Sequence, residues 1–237
     1  MHKYLLKYFV FLLFITSCQP SAEDLFEAGV AALEKQEYQQ SIEYFDRVVE
    51  IEENNPTAWN ARGVAFFEME AWDEAIDSFS RSIDLDSANY KPYFNRGNAL
   101  MEKESFKEAL YDYNMANGLD FNQPDIYYNR GLALLGLEMY DDALVDFDLA
   151  LRANPGDTRV LFNKAKALLG NNDPLTAISI LNEVVSLDQR NAAAYYLLGV
   201  TEMSALGNKE AGCTQLKMAL SLGYTQAKEW IDEFCEE

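Results

Sequence analysis

The chain has 237 residues and carries 39 Asp+Glu against 19 Lys+Arg, a net charge of −20. With no cluster of Lys or Arg, that balance excludes binding to nucleic acid, which needs cations massed against phosphates. The only histidine is His2, so beyond the first residues no imidazole is present for a Ser-His-Asp or Cys-His nucleophile or for a His-bearing metal site. Carboxylate neighbours such as Asp73-Glu74 and Asp141-Asp142 fall on helix faces, where solvated charge is the simplest reading, and neither a Gly-rich phosphate loop nor an EF-hand spacing is present. The chain reads as non-enzymatic, with no cofactor, no metal and no small-molecule substrate.

In chain order, residues 1–17 come first. Lys3 and Lys7 precede the apolar run Tyr8-Phe-Val-Phe-Leu-Leu-Phe-Ile15, the layout of a signal peptide and too short to span a bilayer. The run leads into Ile15-Thr16-Ser17-Cys18, which resembles the lipobox of bacterial lipoproteins. That resemblance implies cleavage before Cys18 and acylation of its new N-terminus; an uncleaved anchor or a plain secretory signal is the alternative. Two or more acyl chains hold a protein stably at a membrane, and Gln19 in place of an aspartate favours the outer membrane. Residues 18–21 then form a tether of at most ~15 Å, and residues 18–237 carry a net charge of −22 (17 Lys+Arg, 39 Asp+Glu).

From residue 22 a glycine returns every 34 residues: Gly29, Gly63, Gly97, Gly131 and Gly199, with Ala165 at the missing beat. Taking it as position 8 divides the chain into six repeats: 22–55, 56–89, 90–123, 124–157, 158–191 and 192–225. Position 4 is Leu25, Trp59, Tyr93, Tyr127, Leu161, Tyr195; position 20 is Ser41, then Ala75, Ala109, Ala143, Ala177, Ala211; position 24 is Phe45, Phe79, Tyr113, Phe147, Leu181, Gln215. Apolar residues at 4, 8 and 11 and at 17, 20, 24 and 27 stripe two amphipathic helices per repeat. Pro56, Pro92, Pro124 and Pro174 mark helix starts and Pro155-Gly156 an end. This is similar to the tetratricopeptide repeat pattern, and the resemblance implies an all-α fold: a right-handed α-solenoid of six helix-turn-helix repeats. Residues 226–237 supply a capping helix with Ala227, Trp230, Ile231 and Phe234 on one face.

Repeat six departs from the pattern, with Glu202, Asn208 and Gln215 where apolar residues stand elsewhere, and Cys213, Leu216, Ala219 and Leu220 suggest a rotated stripe. If residues 209–221 and 225–235 are antiparallel helices turning near Gly223, Cys213 and Cys235 lie side by side. They form a disulfide or remain two buried thiols, and export favours the first.

In tetratricopeptide arrays the first helices line a concave groove, commonly through positions 2, 5, 6, 9, 12 and 13. The resemblance therefore points to Phe94, Tyr128, Phe162 and Tyr196 at position 5, Asn95, Asn129 and Asn163 at position 6, Asn98 and Lys166 at position 9, and Phe67 and Met101 at position 12. A row of asparagines offers donors and acceptors to an extended peptide, with aromatic and Met side chains gripping it. The alternative is that these residues only pack along neighbouring helices, Phe94 and Phe162 especially. Glu34, Glu68 and Glu102 at position 13 give way to Gly136, Gly170 and Ser204, while Arg159 and Lys166 come later, a gradient that orients a bound segment. No Lys stands at position 5, which argues against the two-carboxylate clamp of chaperone-binding relatives, and Arg62, Arg96 and Arg130 at position 7 read as repeat-consensus residues.

The expectation is a lipid-anchored scaffold of the bacterial envelope, at the outer membrane facing the periplasm. Its partner is a protein segment or helix held in the groove. The alternative is a fixed subunit of a larger envelope complex that makes contact by its outer surface.

Overall fold

The computed structural model describes residues 20–235, so Cys18 and the segment before it lie outside the described residues. Thirteen helices are present among these, twelve of them paired into hairpins. The hairpins are α1 (Ala22–Glu34) with α2 (Tyr38–Ile51), α3 (Pro56–Glu68) with α4 (Trp72–Leu85), and α5 (Tyr90–Glu102) with α6 (Phe106–Leu119). They continue with α7 (Pro124–Gly136) and α8 (Tyr140–Leu151), α9 (Thr158–Gly170) and α10 (Pro174–Leu187), then α11 (Ala192–Leu206) and α12 (Lys209–Ser221); α13 (Ala227–Phe234) closes the array.

Local chemistry sets where the helices begin. Ser21 and Asp24 form a capping box on α1, Asn55, Asn89, Asp157 and Asn191 cap later first helices, and Pro56 and Pro124 occupy a first turn where a missing N–H costs nothing. Each of the first five hairpins turns on one left-handed residue: Gln36, Glu70, Glu104, Glu138 or Asn172, with φ from 55° to 63°. These sit 34 residues apart. In the sixth hairpin the left-handed residue is Gly207 (φ 64°), one residue later than the stride requires.

Packing follows from small residues meeting rings. The buried glycines of position 8 lie against the position 24 side chain of the same hairpin: a Cβ on Gly29, Gly97 or Gly131 would come within 2.7 Å of Phe45, Tyr113 or Phe147, and on Gly63 within 2.5 Å of Phe79. Glycine is required there for close approach, at a helix-interior cost of about 1 kcal/mol relative to Ala. Where Ala165 replaces it, Leu181 replaces the ring. In the sixth hairpin the late turn displaces α12 by one position, so Leu216, not Gln215, meets Gly199, and Gly212 takes the place of the usual Ala. This is the physical form of the rotated stripe.

Ion pairs lace the hairpins together. Arg96 donates through Nε and Nη2 to Asp112, both at 2.7 Å, and through Nη1 to Ser80 of the preceding repeat at 2.9 Å. Arg130 does the same with Asp146 (2.7 Å twice) and Asn114 (3.1 Å). Arg62 reaches back to Asp46 at 2.6 Å and forward to Ser78 at 2.8 Å, and Lys164 reaches back to Asp148 at 2.6 Å. The hydrogen-bonded carboxylates hold the Arg96 and Arg130 guanidiniums above their usual range, against the opposing effect of burial. Position 7 is thus a staple between neighbouring repeats.

First helices of successive hairpins touch, α1 with α3, α3 with α5, α5 with α7 and α7 with α9. No comparable contact joins second helices among the described residues, so the array curves with its first helices inside. At the end, Cys213 of α12 and Cys235 after α13 are bonded, with their Cα atoms 5.7 Å apart.

Candidate functional site

The inner face is built from the exposed sides of α3, α5, α7, α9 and α11, whose opposite sides are fixed in the core. Position 6 faces this side, but its asparagines are not free of one another. Asn95 Nδ2 donates to Asn60 Oδ1 at 3.1 Å, Asn129 Nδ2 to Asn98 Oδ1 at 3.0 Å, and Asn163 Nδ2 to the Tyr128 hydroxyl at 3.2 Å and the Arg159 carbonyl at 3.0 Å. The row is therefore a ladder between repeats: neighbouring first helices lie close enough that each amide donates to a side chain one repeat back, and Asn163 donates to a carbonyl of its own helix as well.

What the ladder leaves open is specific. Asn98 Oδ1 accepts from both Asn129 and the Tyr113 hydroxyl (2.8 Å), while Asn98 Nδ2 donates to no protein atom among the described residues. The Oδ1 atoms of Asn95, Asn129 and Asn163 likewise accept no bond among the described residues. Asn95 and Asn98 line a cavity of about 160 Å³ together with Val64, Phe67, Glu68 and Phe79. The inner face thus presents amide donors, that of Asn98 among them, and a series of carbonyl acceptors above an apolar floor, which is the complement of an extended backbone.

The position 5 aromatics have a second duty. Phe94 packs on Tyr113 with centroids 6.0 Å apart, Tyr128 on Phe147 at 6.3 Å, and Tyr196 on Tyr224 at 4.8 Å; Phe162 packs against the core around Leu161 and Leu181. All are half-buried, so they roof the core while showing one side to the groove. The Arg159 guanidinium lies 5.5 Å from the Tyr128 ring centre. Burial raises the Tyr128 phenol above its usual pKa, and Arg159 opposes that rise; burial raises Tyr113 likewise. Phe67 stacks edge-on against Trp72 at 5.0 Å, and Met101 packs against the cluster of Tyr93, Tyr113 and Ile126.

Charge is graded along the face. Glu34, Glu68 and Glu102 are exposed on the early repeats, and Lys166 is exposed on a later one. Gly136 and Gly170, which replace the glutamates, have a packing cause: a Cβ there would meet the Phe106 ring at 3.0 Å or the Tyr140 ring at 2.3 Å, each from the preceding hairpin. Nothing on this face offers a nucleophile with a base. Among the described residues no group of three His, Cys, Asp or Glu side chains is placed to hold a metal ion, and no helix is long and apolar enough to cross a membrane.

Sequence reasoning missed the Arg staples, although Arg96 with Asp112 and Arg130 with Asp146 repeat one 16-residue interval. It also missed the left-handed turn residues, which as Gln, Glu and Asn carry no strong turn signal.

Comparison with known proteins places these features in a family. A model described as "Tetratricopeptide repeat" matches residues 26–92 and 162–220, more than half of the chain; a second of that description matches 124–157, and one described as "TPR repeat" matches 97–138. No curated protein matches the sequence. Among solved structures, PilF of Pseudomonas aeruginosa is similar with a TM-score of 0.72 at 22% identity, over 90% of this chain and 97% of that one. YrrB, described as a TPR protein with an unusual peptide-binding site, has a TM-score of 0.67 at 24% identity, over 78% and 97%. MamA from Desulfovibrio magneticus RS-1 has 0.67 at 19%, over 72% and 96%. At these identities the likeness is one of fold. The 34-residue stride, the stacked hairpins and the family match agree: this chain belongs to the tetratricopeptide repeat family, whose members typically serve as non-enzymatic scaffolds for protein–protein contact.

Proposed function

We propose that this protein is a lipid-anchored scaffold of the bacterial cell envelope, attached to the outer membrane through Cys18 on the periplasmic side, which holds an extended segment or helix of another envelope protein against its inner face. The observation that carries the reading is the open hydrogen-bonding capacity at Asn95 and Asn98 above the apolar floor of Val64, Phe67 and Phe79. A bound backbone would donate to the Oδ1 atoms of Asn95, Asn129 and Asn163 and accept from Asn98 Nδ2. A cationic part of the segment would lie over Glu34, Glu68 and Glu102 and an acidic part near Lys166. The lipobox-like Ile15–Cys18 stretch and the short tether support membrane attachment close to the first repeat.

Two substitutions test the groove with side chains that the next repeat already carries at the same positions. Asn98→Leu with Tyr113→Phe reproduces Leu132 and Phe147 of the next repeat, so the pair removes the Asn98 amide and leaves no hydroxyl unpaired, while the half-buried Asn129 amide loses its acceptor on the open face. Peptides selected from a random library on the wild-type protein are expected to bind the double variant at least tenfold more weakly, a loss of about 1.4 kcal/mol; undiminished binding would defeat the groove reading. For the anchor, Cys18→Ser is expected to abolish acyl labelling and release the protein from the membrane fraction, and retention of both would defeat it.

A further inference from the structure

The second helices repeat one outward position every 34 residues, which gives each repeat an internal comparison. That position is Glu43, Asp77, Tyr111, Val145 and Ser179 in α2, α4, α6, α8 and α10. Three are polar, as an outer surface requires, but Tyr111 and Val145 are apolar and 60% and 58% exposed. A single exposed apolar side chain needs no explanation; here two stand one repeat apart, each on the wall of a cleft. The first cleft, about 420 Å³, lies between α4 and α6 over Leu100, with Ile76 and Tyr111 on its sides. The second, about 350 Å³, lies between α6 and α8 over Leu134, with Leu110, Met139 and Val145 around it.

The polar groups of the clefts are unequal. Arg96 and Arg130 at the base are consumed by Asp112 and Asp146 and are not available to an anion. The rims carry exposed Glu108 and Asp142 at equivalent positions, with Lys107 the one cation lining either cleft apart from those arginines. We infer that the outer face of α6 and α8 docks an amphipathic helix of a partner protein, with apolar residues of its one face seated in the two clefts and flanking Lys or Arg set against Glu108 and Asp142. Charge selects a basic partner over a second copy of this chain, which would bring its own net charge of −20 to the contact. The inference stands apart from the groove on the inner face.

The probe is a fluorescent 18-residue amphipathic helix of leucine and lysine only, followed by anisotropy, with a leucine–glutamate helix as comparator. The variant is Tyr111→Asp with Val145→Ser, which copies Asp77 and Ser179 and is compatible with the fold. Because it adds a carboxylate, it strengthens any non-specific attraction to lysine. The dissociation constant for the leucine–lysine helix is expected to rise at least tenfold in this variant and to be unchanged by Asn98→Leu with Tyr113→Phe. An unchanged constant in the outer-face variant, equal affinity for the leucine–glutamate helix, or sedimentation showing a wild-type dimer that the outer-face variant converts to monomer would overturn the inference.

Discussion

Gly131 shows how one missing methyl group governs a hairpin. Its α-carbon faces Phe147, and an added Cβ would fall 2.7 Å from a ring carbon of a side chain with no exposed surface. The ring cannot swing into solvent, so Gly131→Ala is expected to destabilise by about 1–3 kcal/mol, the usual cost of overfilling a core. The fifth repeat already contains the alternative solution, Ala165 with Leu181. Combining Gly131→Ala with Phe147→Leu is therefore expected to recover most of the loss in urea unfolding. A double variant no more stable than Gly131→Ala alone would show that the ring is not what the glycine accommodates. Asn98 is the functional counterpart at this scale. Its oxygen is spent twice inside the fold, on Asn129 and Tyr113, and that leaves its amide hydrogens without a protein acceptor among the described residues.

The sixth hairpin carries the lesson at the level of the element. Five hairpins keep one stride because their left-handed turn residue always falls at the same position, and the sixth breaks it by turning one residue late at Gly207. The rotated stripe was visible in the sequence as Cys213, Leu216 and Ala219, but its cause was not, since a turn one residue late leaves no gap in the spacing of Gly199 from its predecessors. The same limit explains the inner face. The 34-residue interval carried the fold and indicated which positions line the face. It did not reveal that the asparagines bond to one another, because that depends on the distance between helices and not on their phase. The late turn also leaves the end of the array dependent on α13, which has eight residues and buries only Ala227 and Ile231. The bond between Cys213 and Cys235, 22 residues apart, restrains it by about 3 kcal/mol on a loop-closure estimate. Cys235→Ser is expected to speed hydrogen exchange of amides in α12 and α13 while leaving α1 to α8 unchanged, since each hairpin is stabilised by its neighbours. Unaltered exchange in α13 would show that burial alone holds it.

For the whole molecule, curvature separates two surfaces of different chemistry. The inner face is amide-rich and graded from carboxylates to Lys166; the outer face carries the two clefts beside Tyr111 and Val145, rimmed by Glu108 and Asp142. On the proposed function, stacking would let one chain hold a segment on one side and a helix on the other without the two competing. The central claim is that the inner face holds another protein in the envelope. It is tested most directly by placing a photo-crosslinking amino acid at Met101 or Leu135, with Glu43 on the outer face of the first hairpin as control, in cells bearing the full-length protein. The account predicts a discrete adduct from the two inner positions, absent from the outer control and lost when Asn98→Leu and Tyr113→Phe are added. No adduct from either inner position, or one that persists undiminished in that background, would contradict it.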